Sequence, residues 1–126
     1  MRTTAMVVAL TALLALAAPR VVHSQQPPTV AIQNFEFRPV TLRVTIRNGE
    51  TRQEVRWVNN GSVAHTVAAD RGAFNSRQLA PGDTFSFAFT AAGTFDYHCE
   101  NHPTMKGQLV IEVESSRDPD PGGDGY

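Results

Sequence analysis

Side chains alternate between apolar and polar with a period of two over several short segments of this chain. The segments are "VTLRVTI", "EVRWV", "VAHTVAA", "TFSFAFT", "TFDYHC" and "GQLVIEVE", and "TVAIQNFEF" reads as one further strand. Because successive side chains of a β-strand point to opposite sides, this pattern is typical of half-buried strands. Turn-forming residues separate them, as in "NGE" at 48–50 and "APGD" at 80–83. With no convincing helical period, the pattern predicts an all-β sandwich of about seven to eight strands over residues 29–114.

The apolar faces of these strands identify the predicted core. Two sheets of a sandwich bury such faces against each other. The side chains on these faces are Val40, Leu42, Val44, Ile46, Val55, Trp57, Phe85, Phe87, Phe89, Phe95, Tyr97, Cys99, Leu109, Ile111 and Val113.

The first residues have the features of an export signal. The apolar run at 5–18 is fourteen residues long, too short to span a bilayer comfortably and typical of a secretory signal peptide. Small residues at Val22 and Ser24 predict cleavage after Ser24, so residues 1–24 would be removed and 25–28 would form a polar lead. The alternative is an uncleaved membrane anchor, but no longer apolar segment or stop signal follows. We therefore expect a periplasmic or secreted protein.

The chain after residue 24 is mildly acidic. Two of the eleven basic residues and none of the twelve acidic ones lie in residues 1–24, so nine and twelve remain and the formal charge is −3. This composition lacks the basic patch that nucleic acid requires, and there is no amphipathic basic stretch for anionic lipid. Residues 115–126, "SSRDPDPGGDGY", have no apolar period and predict a disordered tail. We expect a monomer without a membrane span after signal cleavage.

Cys99 is the only cysteine of the chain, in the loop "YHCENHPTMKG" at 97–107. Disulfide frameworks need pairs, and an exposed free thiol is vulnerable to oxidation outside the cytoplasm. A bound metal would protect it. His102 follows Cys99 at a gap of two residues, and Met105 follows His102 at the same gap. A loop that curls around one point after a strand would return a side chain inward at every third residue.

The complete candidate ligand set is His65, Cys99, His102 and Met105. Thiolate, imidazole and thioether are soft ligands that suit copper, and two His, one Cys and a weak axial Met form the blue-copper arrangement. Zinc is the alternative metal, although a thioether is not among its usual ligands. His98 is not included because strand alternation points it away from Cys99, and His23 lies in the predicted signal peptide.

Each candidate ligand also has a structural interpretation when it is taken alone. Cys99 could be a small buried hydrophobic residue, Met105 could fill a gap in the core, and His65 and His102 could be polar residues near turns. The four together, at this spacing and at a strand end, favour the metal site.

Over residues 29–114 the chain resembles the cupredoxins, most closely the amicyanin and plastocyanin branch. "GTFDYHCENHPTMKGQLVIEVE" is similar to the last two strands and the ligand loop of that family, and "VRWVNNGSVAHTV" to the segment with its first histidine ligand. "LAPGDTFSFAFTAAGTF" is similar to the preceding turn and strand. The short gap between His102 and Met105 resembles amicyanin. The resemblance implies a cupredoxin-like Greek-key β-sandwich.

The resemblance also implies the roles of individual residues. His65, Cys99 and His102 would be the strong equatorial copper ligands, Met105 the weak axial ligand, and the exposed edge of His102 the place where electrons pass to redox partner proteins. One residue departs from the family pattern, because Thr66 stands where an Asn usually braces the ligand loop.

The sequence therefore predicts a type 1 copper protein that carries single electrons outside the cytoplasm. The alternative is a periplasmic copper carrier or store with the same ligands. An enzyme is not expected: the sequence lacks the paired histidines of a trinuclear copper cluster, the second cysteine of a thiolate-bridged binuclear site, and the Gly-x-Ser-x-Gly nucleophile elbow.

Overall fold

The computed structural model describes residues 26–115. The predicted signal peptide and all but the first residue of the predicted tail lie outside this range. Eight strands are present in it: β1 (Thr29–Gln33), β2 (Glu36–Arg38), β3 (Thr41–Ile46), β4 (Gln53–Asn59), β5 (Ala68–Ala69), β6 (Thr84–Phe89), β7 (Gly93–Cys99) and β8 (His102–Val113). Among the described residues no helix is long and apolar enough to cross a membrane.

The strands form two four-stranded sheets with the orders β2-β1-β4-β6 and β3-β8-β7-β5. Two pairs are parallel, β1 with β4 and β3 with β8, and the others are antiparallel. Each connection from β2 to β7 crosses from one sheet to the other. The predicted all-β sandwich is thus confirmed.

The core lies between the two sheets and is rich in aromatic rings. Trp57, Tyr97 and Phe37 are its largest fully buried side chains. The Tyr97 ring packs edge-to-face on Phe37, with centroids 4.8 Å apart, and on Trp57 at 5.8 Å. Phe74 joins this cluster from the connection between β5 and β6. The period-two pattern predicted about half of the buried core residues, including Trp57 and Tyr97 but not Phe37 or Phe74.

Two local predictions were wrong. "TVAIQNFEF" forms two antiparallel strands, because Phe35 takes a positive φ of 72° and turns the chain between Gln33 and Glu36. Only two residues of "VAHTVAA", Ala68 and Ala69, form a strand. His65, which precedes this strand, instead forms an isolated β-bridge with Leu79 in the connection between β5 and β6.

Two residues predicted on apolar faces are exposed at strand ends. Val40 precedes β3 and is 58% exposed, and Val113 closes β8 at 52%. Their side chains are on the predicted apolar faces, but they stay exposed because the facing sheet does not cover the strand ends. Leu109 and Ile111, further inside β8, are buried as predicted.

Candidate metal centre

The Cys99 side chain is placed at one end of the sandwich by the junction of β7 and β8. An irregularity in the strand pairing falls between His98 and Cys99, and Cys99 then pairs directly with His102. The chain therefore reverses in a tight turn. Strand β8 begins at His102 itself and not after the ligand loop. Bulges often redirect a side chain next to a functional site. Here the irregularity precedes Cys99, whose side chain is completely buried.

Three donor atoms from distant parts of the chain meet at this end of the sandwich. The Nδ1 atom of His65 lies 3.8 Å from the sulfur of Cys99, and the Nδ1 atom of His102 lies 3.6 Å from it. All three donor atoms lie within 4.8 Å of one another. His65 comes from the connection after β4, 34 residues before Cys99. The structure thus brings together three of the four predicted residues.

These separations fit a single transition-metal ion. An imidazole nitrogen binds at about 2.0 Å and a thiolate sulfur at about 2.3 Å, so a nitrogen and a sulfur around one ion at trigonal angles are about 3.7 Å apart. The observed distances from Cys99 Sγ to the two histidine nitrogens, 3.8 and 3.6 Å, are close to that value. Among residues 26–115, neither Nδ1 atom has another hydrogen-bond partner. The donor set is therefore free to hold a metal.

Burial differs among the four predicted residues. His65 and Cys99 are fully buried, and Met105 is 3% exposed within the core cluster. His102 alone is partly exposed. Pro103 and Thr104 are exposed while Met105 turns inward, as the predicted three-residue spacing requires. The site is thus closed on the protein side and reaches solvent along one imidazole.

Asn59 holds the segment that carries His65, a role that the sequence pattern does not predict. Its side-chain amide donates to the carbonyls of Val63 and Leu79, both at 2.9 Å, and its Oδ1 accepts from the Gly61 N–H at 2.9 Å. Leu79 in turn exchanges two backbone hydrogen bonds with His65. Asn59 is fully buried. The sequence "NNGS" predicted only a break in the strand.

We expect Asn59→Ala to lower the free energy of unfolding by about 3 kcal/mol, because it leaves the Val63 carbonyl and the Gly61 N–H without partners and removes one of the two hydrogen bonds that the Leu79 carbonyl accepts. Urea unfolding of the metal-free protein measures this effect. Asn60→Ala is the matched control, since Asn60 is adjacent and exposed. Equal losses in the two variants would contradict the assigned role of Asn59.

Gly61 is required beside His65 because there is no room for a side chain. A Cβ at this position would lie 3.2 Å from both Asn59 Oδ1 and His65 Nε2. Asn34 also reaches this loop, since it hydrogen-bonds Ser62 through both side-chain atoms. The loop before His65 is therefore fixed by packing and hydrogen bonds from two directions.

Thr66 braces the ligand loop with both its backbone and its side chain. Its N–H donates to the sulfur of Cys99 at 3.3 Å, and its hydroxyl oxygen accepts from the N–H of Glu100 at 2.7 Å. The hydroxyl also lies 4.0 Å from the sulfur. Thr66 is fully buried. The residue that departs from the family pattern thus connects the histidine segment to the cysteine turn.

Burial lowers the pKa of His65, and the neighbouring His102 lowers it further. A neutral imidazole is the form that binds a metal. Since the folded pKa lies below the unfolded value of 6.5, the unfolded chain binds more protons just below that pH. The stability that the lowered pKa of His65 contributes is therefore fully present above pH 6.5, and it is lost as the pH falls through the folded pKa.

We accordingly expect the metal-free protein to lose stability on acidification from pH 7.5 to 5.5, and His65→Gln to lose less over the same interval. Urea unfolding at both pH values tests this difference. Identical pH dependence in the two proteins would contradict the assigned shift.

His98 lies outside the donor group, where strand alternation placed it. Its Nδ1 is 2.6 Å from a carboxylate oxygen of Asp70, at the surface. The pair connects β7 to the residue that follows β5.

Phe35 is a second residue near the site that the sequence pattern does not reveal. Its ring packs edge-to-face on His102, with centroids 4.9 Å apart, and its centroid is 6.3 Å from that of His65. The sequence offered no signal for this contact, because the turn at Phe35 contains neither Gly nor Pro.

Known proteins with similar sequences and structures carry the same fold. The family model described as "Cupredoxin-like domain" matches residues 6–111. The chain is 34% identical to amicyanin from Paracoccus versutus over 88 residues, covering 66% of this chain and 63% of that protein. It is 36% identical to chloroplastic plastocyanin from Chlamydomonas reinhardtii over 91 residues, covering 62% and 59%. The chain thus spans about three fifths of the length of these curated relatives.

A solved structure gives the same result in three dimensions. An oxidised Met-to-Leu variant of amicyanin superposes with a TM-score of 0.60 at 28% identity, covering 68% of this chain and 81% of that one. The family match extends over most of the chain, and both sequence relatives and the structural neighbour fall in one branch. The chain therefore belongs to the cupredoxin-like family and is of the amicyanin and plastocyanin type.

Proposed function

We propose that this protein binds one type 1 copper ion and carries single electrons between redox partner proteins outside the cytoplasm. The observation that carries the proposal is the convergence of two histidine nitrogens on the buried sulfur of Cys99, at 3.8 and 3.6 Å. His65, Cys99 and His102 would be the equatorial ligands, and the buried Met105 the weak axial ligand. Copper, when bound, supplies the one-electron couple between Cu(I) and Cu(II).

The contribution of the protein is to fix the ligands in advance. His65 is held by the strand bridge to Leu79 and by the Asn59 network, and Cys99 by the turn and by the N–H of Thr66. The hydrogen bond from the Thr66 N–H, at 3.3 Å, orients the sulfur. Such contacts around the ligands also tune the reduction potential of a copper site. A rigid site of this kind needs little rearrangement between oxidation states.

His102 is the route by which an electron would enter or leave. It is the only one of the four proposed ligands with partial exposure. Its Nδ1 faces the sulfur of Cys99, while the ring extends toward the surface. A partner that docks over this ring would contact a proposed ligand directly without displacing it.

Voltammetry of the copper-loaded protein tests the proposed carrier function. We expect a reversible one-electron wave and full retention of copper over repeated cycles. Loss of copper on reduction would contradict an electron carrier. It would favour the second candidate, a copper carrier or store with the same ligands, and ready transfer of Cu(I) to an acceptor chelator would support that candidate further.

Catalysis has less support than electron transfer. The donor group of His65, Cys99 and His102 is the one metal-binding cluster found among residues 26–115, and a mononuclear site suits electron transfer. A location in the periplasm or outside the cell is supported by the apolar run at 5–18, which is typical of a secretory signal. We further propose that the protein acts as a monomer.

A further inference from the structure

Phe35 is unusual in both backbone conformation and exposure. Its φ of 72° lies in the left-handed region, where residues other than Gly, Asn and Asp are uncommon and bulky ones are outliers. The residue is 62% exposed, so burial of the ring does not offset this conformation. Such outliers persist when their surroundings enforce them, and they cluster at functional sites. The contacts of Phe35 therefore need an explanation.

Hydrogen bonds fix the turn that presents Phe35. Gln33 and Glu36 are paired across β1 and β2, which leaves Asn34 and Phe35 as the two turn residues. The amide of Asn34 donates to the hydroxyl of Ser62 at 2.7 Å, and its oxygen accepts from the Ser62 N–H at 2.9 Å. Ser62 belongs to the loop before His65. The turn is thus attached to the same segment that supplies a proposed ligand.

The ring of Phe35 lies against the exposed proposed ligand. Its centroid is 4.9 Å from that of the His102 imidazole, and the two planes meet at 81°. Among residues 26–115, the one polar contact of the His102 ring is that of its Nδ1 with Cys99 Sγ. Without Phe35, the imidazole could rotate into solvent in the metal-free protein.

We propose that Phe35 is a positioning residue that holds the His102 imidazole in its metal-binding orientation before the metal arrives. This inference rests on the proposed copper site. When only a fraction of molecules has a binding-competent site, the apparent affinity falls by that fraction. The contribution of an edge-to-face aromatic pair corresponds to a two- to tenfold change in that fraction.

Phe35→Asn separates this role from a structural one. Asn accepts positive φ better than Phe does, so the variant keeps the turn and removes the ring. Phe35→Tyr retains the ring, and its hydroxyl would reach solvent because the position is exposed. We expect the urea midpoint of the metal-free Phe35→Asn protein to stay close to that of the wild type. Phe35→Tyr should behave as the wild type in every measurement.

Two measurements decide the proposal. In NMR spectra of the metal-free protein, the His102 ring signals should show rotamer averaging in Phe35→Asn but not in Phe35→Tyr. Competition with a Cu(I) chelator at pH 8, where ordinary imidazoles are neutral, should show two- to tenfold weaker binding for Phe35→Asn and wild-type binding for Phe35→Tyr.

Three results would overturn the inference: unchanged Cu(I) affinity in Phe35→Asn, equal weakening in Phe35→Tyr, or loss of affinity that merely follows loss of stability. Failure of the proposed function is a different outcome. In that case the wild type itself would not bind Cu(I), while the NMR spectra would still report whether Phe35 orders the His102 ring.

Discussion

Replacing Gly107 with alanine should lower the free energy of unfolding by about 3 kcal/mol, because the added methyl group would overpack the core. Gly107 pairs directly with Tyr97 across β7 and β8, and the tyrosine ring covers it. A Cβ at Gly107 would lie 2.5 Å from Cε2 and from the hydroxyl oxygen of that ring. In a domain of this size the melting temperature should fall by roughly 10–20 °C.

The ring cannot move aside easily, since it is itself packed on all sides. Tyr97 is 1% exposed, and its neighbours include Phe37 and Trp57. Its burial is deep enough to raise the pKa of the hydroxyl to about 12. A clash with a fully buried ring is therefore resolved only by shifts of the strands.

A double-mutant cycle isolates this contact. In a Tyr97→Leu background the ring is absent, so Gly107→Ala should cost much less than in the wild type. If the alanine substitution costs the same in both backgrounds, the effect arises from the β8 backbone and not from the tyrosine ring.

Replacing Cys99 with alanine should weaken Cu(I) binding by more than a hundredfold. Loss of an outer contact to a metal ligand typically costs 10- to 100-fold in affinity, and loss of the thiolate itself should cost more. Chelator competition measures the change. The metal-free variant should still fold, since cysteine and alanine are both small and the strand pairing of β7 does not depend on the side chain.

His98→Ala is the matched control for Cys99→Ala. The two residues are adjacent, but the His98 side chain contacts Asp70 and lies outside the donor group. We expect the His98→Ala variant to bind Cu(I) with the affinity of the wild type. A Cys99→Ala protein within tenfold of the wild-type affinity would contradict the assignment of Cys99 as a principal ligand.

The sequence predicted the sandwich well because alternation reports burial directly. Trp57, Tyr97 and Leu109 are on predicted faces and are fully buried. It failed where local geometry depends on contacts that are distant in the chain. The turn at Phe35 lacks the usual Gly, and its conformation is stabilised by Asn34 through hydrogen bonds to Ser62, 28 residues away from Asn34.

The candidate site was predictable for a different reason. The chain offers one cysteine, and soft ligands at a regular spacing beside it restrict the chemistry to few metals. The supporting residues were not predictable. Asn59 binds backbone groups at positions 61, 63 and 79, and Thr66 contacts the sulfur of Cys99 and the N–H of Glu100. The contacts with positions 79, 99 and 100 form only when distant parts of the chain are packed together. The need for Gly107, which makes room for the ring of Tyr97, likewise becomes visible only in the structure.

The visible absorption spectrum of the protein loaded with Cu(II) tests the central claim most directly. A thiolate bound to Cu(II) in a site with two imidazoles and a weak axial thioether is the blue-copper arrangement. We predict an intense visible thiolate-to-copper band in the wild type and its complete loss in Cys99→Ala. A wild-type protein that binds Cu(II) without this band, or a Cys99→Ala variant that retains it, would contradict the proposed site.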